Sequence, residues 1–190
     1  MWPLFLTSVI SLAVVFEKIL FIAATQMRRQ PKIVEAILAE AEEGDIQGAI
    51  QAGEESRDYV ASCLVYALKH RNQSFSGALL SAANRELKKF NQGLSVLDTV
   101  ITLAPLLGLL STVTGMIHAF GILGSRELDA PSVITGGIAE ALIGTAFGLG
   151  IAVVALIPFN YLNARLEEAR HEIEDASTRL ELLLKQEKKI

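Results

Sequence analysis

The chain has 190 residues, 51% of them hydrophobic, a mean hydropathy of +0.40 and a formal net charge of −4. This is too apolar for an ordinary soluble domain of its size and points to a membrane protein; no basic block is long enough to track nucleic acid. Cys63, the one cysteine, excludes an intrachain disulfide framework and reads as a small buried residue, and no CxxC pair or His/Cys cluster has metal-ligand spacing.

The chain begins MWPLFLTSVISLAVVF, without the basic stretch that a cleavable signal requires, so residues 1–24 are predicted to be a retained transmembrane helix. The uncharged part, Trp2 to Phe16, is short for a bilayer, which takes about 20 residues. It reaches Ala24 when Glu17 and Lys18 lie near the headgroups or against protein.

Residues 25–98 read as a helical segment outside the membrane. Ile33, Ile37 and Leu38 fall at helical spacing after Pro31, Gly44 with Asp45 marks a stop and a new start, and Gly53 ends a short second helix. A third helix is expected from Arg57 to His70. After Asn72–Ser74 a helical pattern resumes and meets no proline before Pro105. It is predicted to run on into the membrane as one rod from Phe75 to Leu123, about 73 Å at 1.5 Å per residue.

Two further spans follow, over 99–124 and 132–163, joined by a short loop at 125–131. The second span holds His118 as its only titratable group. The third carries one carboxylate, Glu140, and no Lys or Arg. Of the 17 Lys and Arg residues, nine lie in 25–98, six after Leu162 and one, Arg126, in the loop. The positive-inside rule then puts the N-terminus and the loop outside and both charged segments in the cytoplasm. Beyond the third span, residues 164–190 continue as a cytoplasmic helix. Leu162, Leu166, Ala169, Ile173, Ala176, Leu180 and Leu183 are spaced 4-3-4-3-4-3, an a/d seam. The seam fits packing against the chain's own helices or against another subunit. The fold class is thus all-α, an integral membrane protein with three transmembrane helices, the second and third extended as long cytoplasmic helices.

A short loop makes spans two and three antiparallel neighbours, in which residues at equal depth have a nearly constant index sum. With the loop centred about residue 128 or 129, Thr112 lies opposite Thr145, and Glu140 near the level of Ile117 and His118. At about 100° per residue, Pro105, Gly108, Thr112, Gly115 and Ala119 share one stripe. Ala141, Thr145, Gly148 and Ala152 share another, with Gly144 beside it. Small residues let membrane helices approach closely, and membrane threonines often bond to their own backbone four residues back, so both stripes have a purely structural explanation. Glu140, about 140° from Thr145, is harder to explain that way. A bilayer disfavours an ionised carboxylate, so Glu140 is either a neutral acid bonded within the bundle, with His118 as a polar neighbour, or a group whose protonation changes during function.

The runs APLLGLLSTVTGMIHAF (104–120) and GGIAEALIGTAFGLGIAV (136–153) resemble the paired signature of the ExbB/TolQ family of inner-membrane proton-channel subunits, distantly similar to flagellar MotA. Ser111 and Thr114 depart from that pattern, standing where a glycine and an aromatic are common. The resemblance implies a proton pathway through Thr112, Thr145 and Glu140, with Pro105, Gly108, Gly115, Ala141, Gly144 and Gly148 packing the helices. It implies a homopentamer around an ExbD/TolR-type single-span partner whose membrane aspartate carries the proton, with a TonB- or TolA-like protein beyond it. Proton motive force would be spent on outer-membrane transport or envelope maintenance. No cofactor and no covalent catalysis are expected, since neither a nucleophile–base constellation nor a phosphate-binding loop appears. A non-conducting oligomeric scaffold is the alternative.

Overall fold

The structure, a computed structural model, describes residues 2–123 and 131–187. It is all-helical there: α1 (Trp2–Met27), α2 (Pro31–Glu42), α3 (Ile46–Glu54), α4 (Tyr59–Lys69), α5 (Arg71–Asn91), α6 (Leu94–Leu123) and α7 (Pro131–Glu187). Three stretches are long and apolar enough to cross a membrane, Trp2–Met27, Leu94–Gly121 and Thr135–Lys185. Apart from Pro131, where α7 starts, the loop expected at 125–131 lies outside the described residues.

Helices divide the chain into two units. The first takes in the chain up to Lys18 and then Gly93–Leu162. Many of its large side chains point outward: Phe5, Leu6, Leu106, Leu109, Ile117, Leu142, Val153 and Ile157 are all exposed. Small ones point inward, with Ala104, Ala119, Ala141, Ala152 and Ala155 buried. This reverses the pattern of a water-soluble bundle and suits a lipid surround, where helix association rests on close packing and hydrogen bonds. Lys18 is buried while its neighbour Glu17 is exposed, so the end of span one keeps its cation against protein.

The single rod expected from Phe75 to Leu123 is two helices, and the break is at Gly93. Its φ of +83° is a left-handed value that glycine adopts without a Cβ penalty. A methyl group there would also lie 2.9 Å from Lys18 Cε and 3.1 Å from Val14 Cγ1. The preceding helix had already signalled its end with Lys88 and Lys89 in its last turn. Upstream, Ser74 leaves helical geometry at φ −167°, ψ 103°, and its Oγ accepts the Gly77 N–H at 3.1 Å, which caps the resumed helix.

The second unit takes in Ile19–Gln92 and the chain from Asn163 on. Its core is α4, where Val60, Ala61, Cys63, Leu64, Ala67 and Leu68 are buried together with Ile37 and Leu38 of α2. Asp45 caps α3, its carboxylate accepting Gly48 N–H at 2.8 Å, and Gly44 before it has φ +80°. The heptad seam of α7 is covered within the chain itself: Leu166, Ala169, Ile173, Ala176 and Leu180 are buried in this unit.

Candidate functional site

In the first unit α6 and α7 pack as an antiparallel pair with almost nothing between their backbones. A methyl group on Gly148 would lie 2.5 Å from the Ala104 carbonyl oxygen, and one on Gly115 would lie 2.7 Å from Ala141 Cβ. Gly137 faces Ala119, and Gly144 faces the Ser111 hydroxyl. Contact at this range holds the two backbones so close that a side chain of two or three atoms reaches across.

Thr112 and Thr145 do this. Their Oγ1 atoms hydrogen-bond to each other, and both also reach one backbone acceptor, the Gly108 carbonyl of α6. Thr112 Oγ1 lies within donating distance of it, 3.1 Å, in its own helix, and Thr145 Oγ1 within donating distance from α7, 2.9 Å. Thr112, then, is placed for the local backbone bond that the sequence allows for any membrane threonine, and Thr145 instead for a bond to the neighbouring helix. The three oxygens form a polar island between the two helices. Both threonines are half-buried.

Glu140 stands apart from that island. It is exposed on α7, five residues nearer the start of the helix, and His118 is exposed on α6. Among the described residues no hydrogen bond joins Glu140 to His118. Pro105 is half-buried within α6. Thr114 is exposed and bonds only backward, to the carbonyls of Leu110 at 2.8 Å and Ser111 at 3.1 Å.

A second polar centre, absent from the sequence reading, lies in the second unit. Asp58, 1% exposed, caps α4 by accepting Val60 N–H at 2.8 Å and Ala61 N–H at 3.3 Å. Its other oxygen accepts Gln30 N–H at 2.6 Å and pairs with Arg29. Arg29 also donates to Glu172 of α7 at 3.1 Å and lies 4.9 Å from the Tyr59 ring centre, and the Tyr59 hydroxyl donates to the same Glu172 carboxylate. Burial is the largest single influence and works against the Arg29 charge, but the hydrogen bonds to Asp58 and Glu172 and the charge of Asp58 together outweigh it and hold the guanidinium above its ordinary pKa. Burial, then the bond to Glu172, pushes the Tyr59 phenol up as well. Asp58 before an apolar helical run was a legible cap signal. That Arg29 and Glu172, 143 residues apart, would meet over it was not.

A family model described as the MotA/TolQ/ExbB proton channel family matches residues 49–175. The chain is similar to the biopolymer transport protein ExbB-like 1 of a Synechocystis species, 33% identical over 194 residues, covering 98% of this chain and 75% of the relative. It is similar to TolQ of the Tol-Pal system of Haemophilus influenzae, 38% identical over 89 residues, 47% of this chain and 39% of TolQ. It is also similar to the biopolymer transport protein ExbB of Xanthomonas campestris, 36% identical over 115 residues, 55% of this chain and 44% of the relative. The chain thus spans less than half the length of those last two. The matched region takes in α6, α7 as far as Asp175 and the Thr112–Thr145 island between them, and the chain belongs to the MotA/TolQ/ExbB proton channel family.

Proposed function

We propose that the chain is an ExbB/TolQ-like inner-membrane motor subunit that lets protons down their gradient and passes the energy to a single-span partner. The observation that carries this reading is the cluster of Thr112 Oγ1, Thr145 Oγ1 and the Gly108 carbonyl oxygen between two apolar, span-length helices of a proton-channel family member. Hydroxyls donate and accept, so they can bind a proton donor without holding a permanent charge in the membrane. They cannot store a proton at neutral pH, so a carboxylate has to. Within the predicted spans 99–124 and 132–163 Glu140 is the chain's own acid, and an ExbD/TolR-type partner with a membrane aspartate would bring a second to the threonines.

In this reading the N-terminus is periplasmic and protons enter from the loop side, where Glu140 lies, before reaching the threonines. Copies of the chain form a ring, a pentamer by family likeness, and proton transfer at the partner's carboxylate drives movement of one component past the other. A TonB- or TolA-like protein would take the energy to the outer membrane. The chain's own part is to bind and orient, and no covalent reaction is asked of it.

The scaffold reading draws on the glycine-to-backbone contacts of α6 and α7, which need no proton to explain them. Thr145→Val separates the two, since it keeps shape and removes the hydroxyl. A motor subunit carrying it assembles normally and loses function that depends on proton motive force. Normal energy-dependent function in both Thr145→Val and Glu140→Gln would leave the scaffold reading standing alone.

A further inference from the structure

The hydrogen-bond arithmetic of the threonine island has a consequence for how it accepts a proton donor. Thr112 and Thr145 have one hydroxyl hydrogen each. Three bonds are geometrically available to them: Thr112 to Gly108 O, Thr145 to Gly108 O, and one between the hydroxyls in either direction. The Gly108 carbonyl, inside α6, also serves the helix ladder through the amide four residues on. A carbonyl has two lone pairs, so the ladder leaves room for one strong hydroxyl donor at a time.

Two arrangements satisfy every group. In one, Thr145 donates to Gly108 O and Thr112 donates to Thr145. In the other, Thr112 donates to Gly108 O and Thr145 donates to Thr112. Each leaves one hydroxyl oxygen with both lone pairs free, Thr112 in the first and Thr145 in the second. Two hydroxyl rotations exchange them, with no heavy atom displaced and no net charge moved.

We infer that Thr112, Thr145 and the Gly108 carbonyl form a single two-position acceptor, which passes a bound proton donor laterally from α6 to α7 at one depth in the membrane. The ligand is a proton donor, either a neutral carboxylic acid O–H or a hydronium ion. It keeps a hydrogen bond as it crosses from one helix to the other because the pair switches with it. Gly108 is the positioning residue: a methyl group there would lie 3.0 Å from Thr145 Cα and 3.2 Å from the Gly144 carbonyl oxygen, and would push α7 away from the shared acceptor. This inference rests on the proton-pathway reading above, and its test separates the two.

The test uses the full-length chain purified with its membrane partner, reconstituted in liposomes, with proton flux followed by an entrapped pH dye. Thr112→Val, Thr145→Val, the double variant, Thr112→Ser and Thr145→Ser are compared. A single acceptor unit predicts that each Val variant loses flux about tenfold or more, that the double variant is no more than about twofold worse, and that the Ser variants stay within about twofold of wild type, because members of a unit are non-additive. An isotope-labelled Gly108 carbonyl gives a readout independent of flux. Its infrared band should stay put in either single Val variant, since the remaining hydroxyl takes over the bond, and move to higher frequency in the double variant. Flux losses that multiply, or a carbonyl band that moves fully in one single variant, would overturn the shared acceptor while leaving the pathway intact. Unchanged flux in both single Val variants would overturn the pathway reading and this inference with it.

Discussion

A threonine inside a membrane helix ordinarily returns its hydroxyl to the carbonyl four residues back. Thr114 does so, and Thr112 does so in part, but Thr145 reaches the Gly108 carbonyl of the facing helix. Interhelical hydrogen bonds in membranes average about 0.6 kcal/mol and rarely exceed about 1.7 kcal/mol. Thr145→Val should therefore shift the thermal midpoint of the detergent-solubilised protein only slightly, and a large loss of flux in that variant would be chemical rather than structural. A drop of many degrees would mean instead that the bond is part of what holds the hairpin. Cys63 makes a second prediction at this scale. It is fully buried, and burial, followed by the nearby Glu86 charge, pushes its thiol up to about 12. The reactive form is the thiolate, so Cys63 should resist alkylation at pH 8 in the native protein and react completely once denatured, as read by mass spectrometry.

At the scale of elements, the helices of the second unit are written locally. Pro31, the Gly44–Asp45 stop and the Asp58 cap mark starts and ends that a reader of the sequence can place. The break at Gly93 carried stop signals, Lys88, Lys89 and the glycine itself, but with no proline before Pro105 one continuous rod was also compatible with the pattern. The left-handed conformation of that glycine and its closeness to Lys18 decide it. The facing of Thr112 and Thr145 was legible for a different reason: a short loop between two helices fixes their register. The shared carbonyl was not legible, because the sequence shows no backbone acceptor. Nor was the clasp of Arg29, Asp58 and Glu172, which depends on tertiary packing of α7. That clasp should matter for stability. Removing Arg29 leaves a buried carboxylate without its cation, a change that typically costs about 3–5 kcal/mol, the backbone donors to Asp58 offsetting some of it. Arg29→Ala should lower the unfolding midpoint strongly. Glu35→Gln should leave it unchanged, because the Glu35–Arg179 pair lies at 3.0 Å in full contact with solvent, even though Arg179's hydrogen bond and charge hold Glu35 below the usual carboxylate value. The same unit has an alkaline limit. An unfolded cysteine ionises near its ordinary value of 9.0 and the folded one only at about 12, so above pH 9 the unfolded chain binds fewer protons. Stability should fall between those values, and less steeply in Cys63→Ala, as measured by denaturant midpoints across the range. Tyr59, raised in the same direction by burial and by Glu172, adds to the loss above its ordinary value of 10.0 and limits the relief that Cys63→Ala can give.

For the whole molecule, orientation decides what the site sees first. Nine basic residues lie between spans one and two, six follow span three, and one lies in the loop between spans two and three. That bias is an orienting signal where the rule behind it counts, close to the span ends, as Arg28, Arg29, Lys32, Lys88 and Lys89 are. The outward faces of the three spans carry the large apolar side chains that a bilayer accepts, so the membrane fixes the axis of crossing but not its direction. In a Cys63→Ala background, Ser125→Cys should be blocked by a membrane-impermeant maleimide added to intact spheroplasts. Glu55→Cys and His171→Cys should be blocked only in inverted vesicles. The reverse pattern would put the loop in the cytoplasm. Glu140 lies five residues closer to the loop end of α7 than Thr145 does. In the proposed pathway, with the loop outside, a proton moving inward would meet Glu140 before the threonines; with the loop inside, it would meet them in the opposite order, and Glu140 would be an exit rather than an entrance. The labelling pattern thus fixes the order in which acid and hydroxyls act, and with it whether a Glu140→Gln variant should fail to load protons or fail to release them.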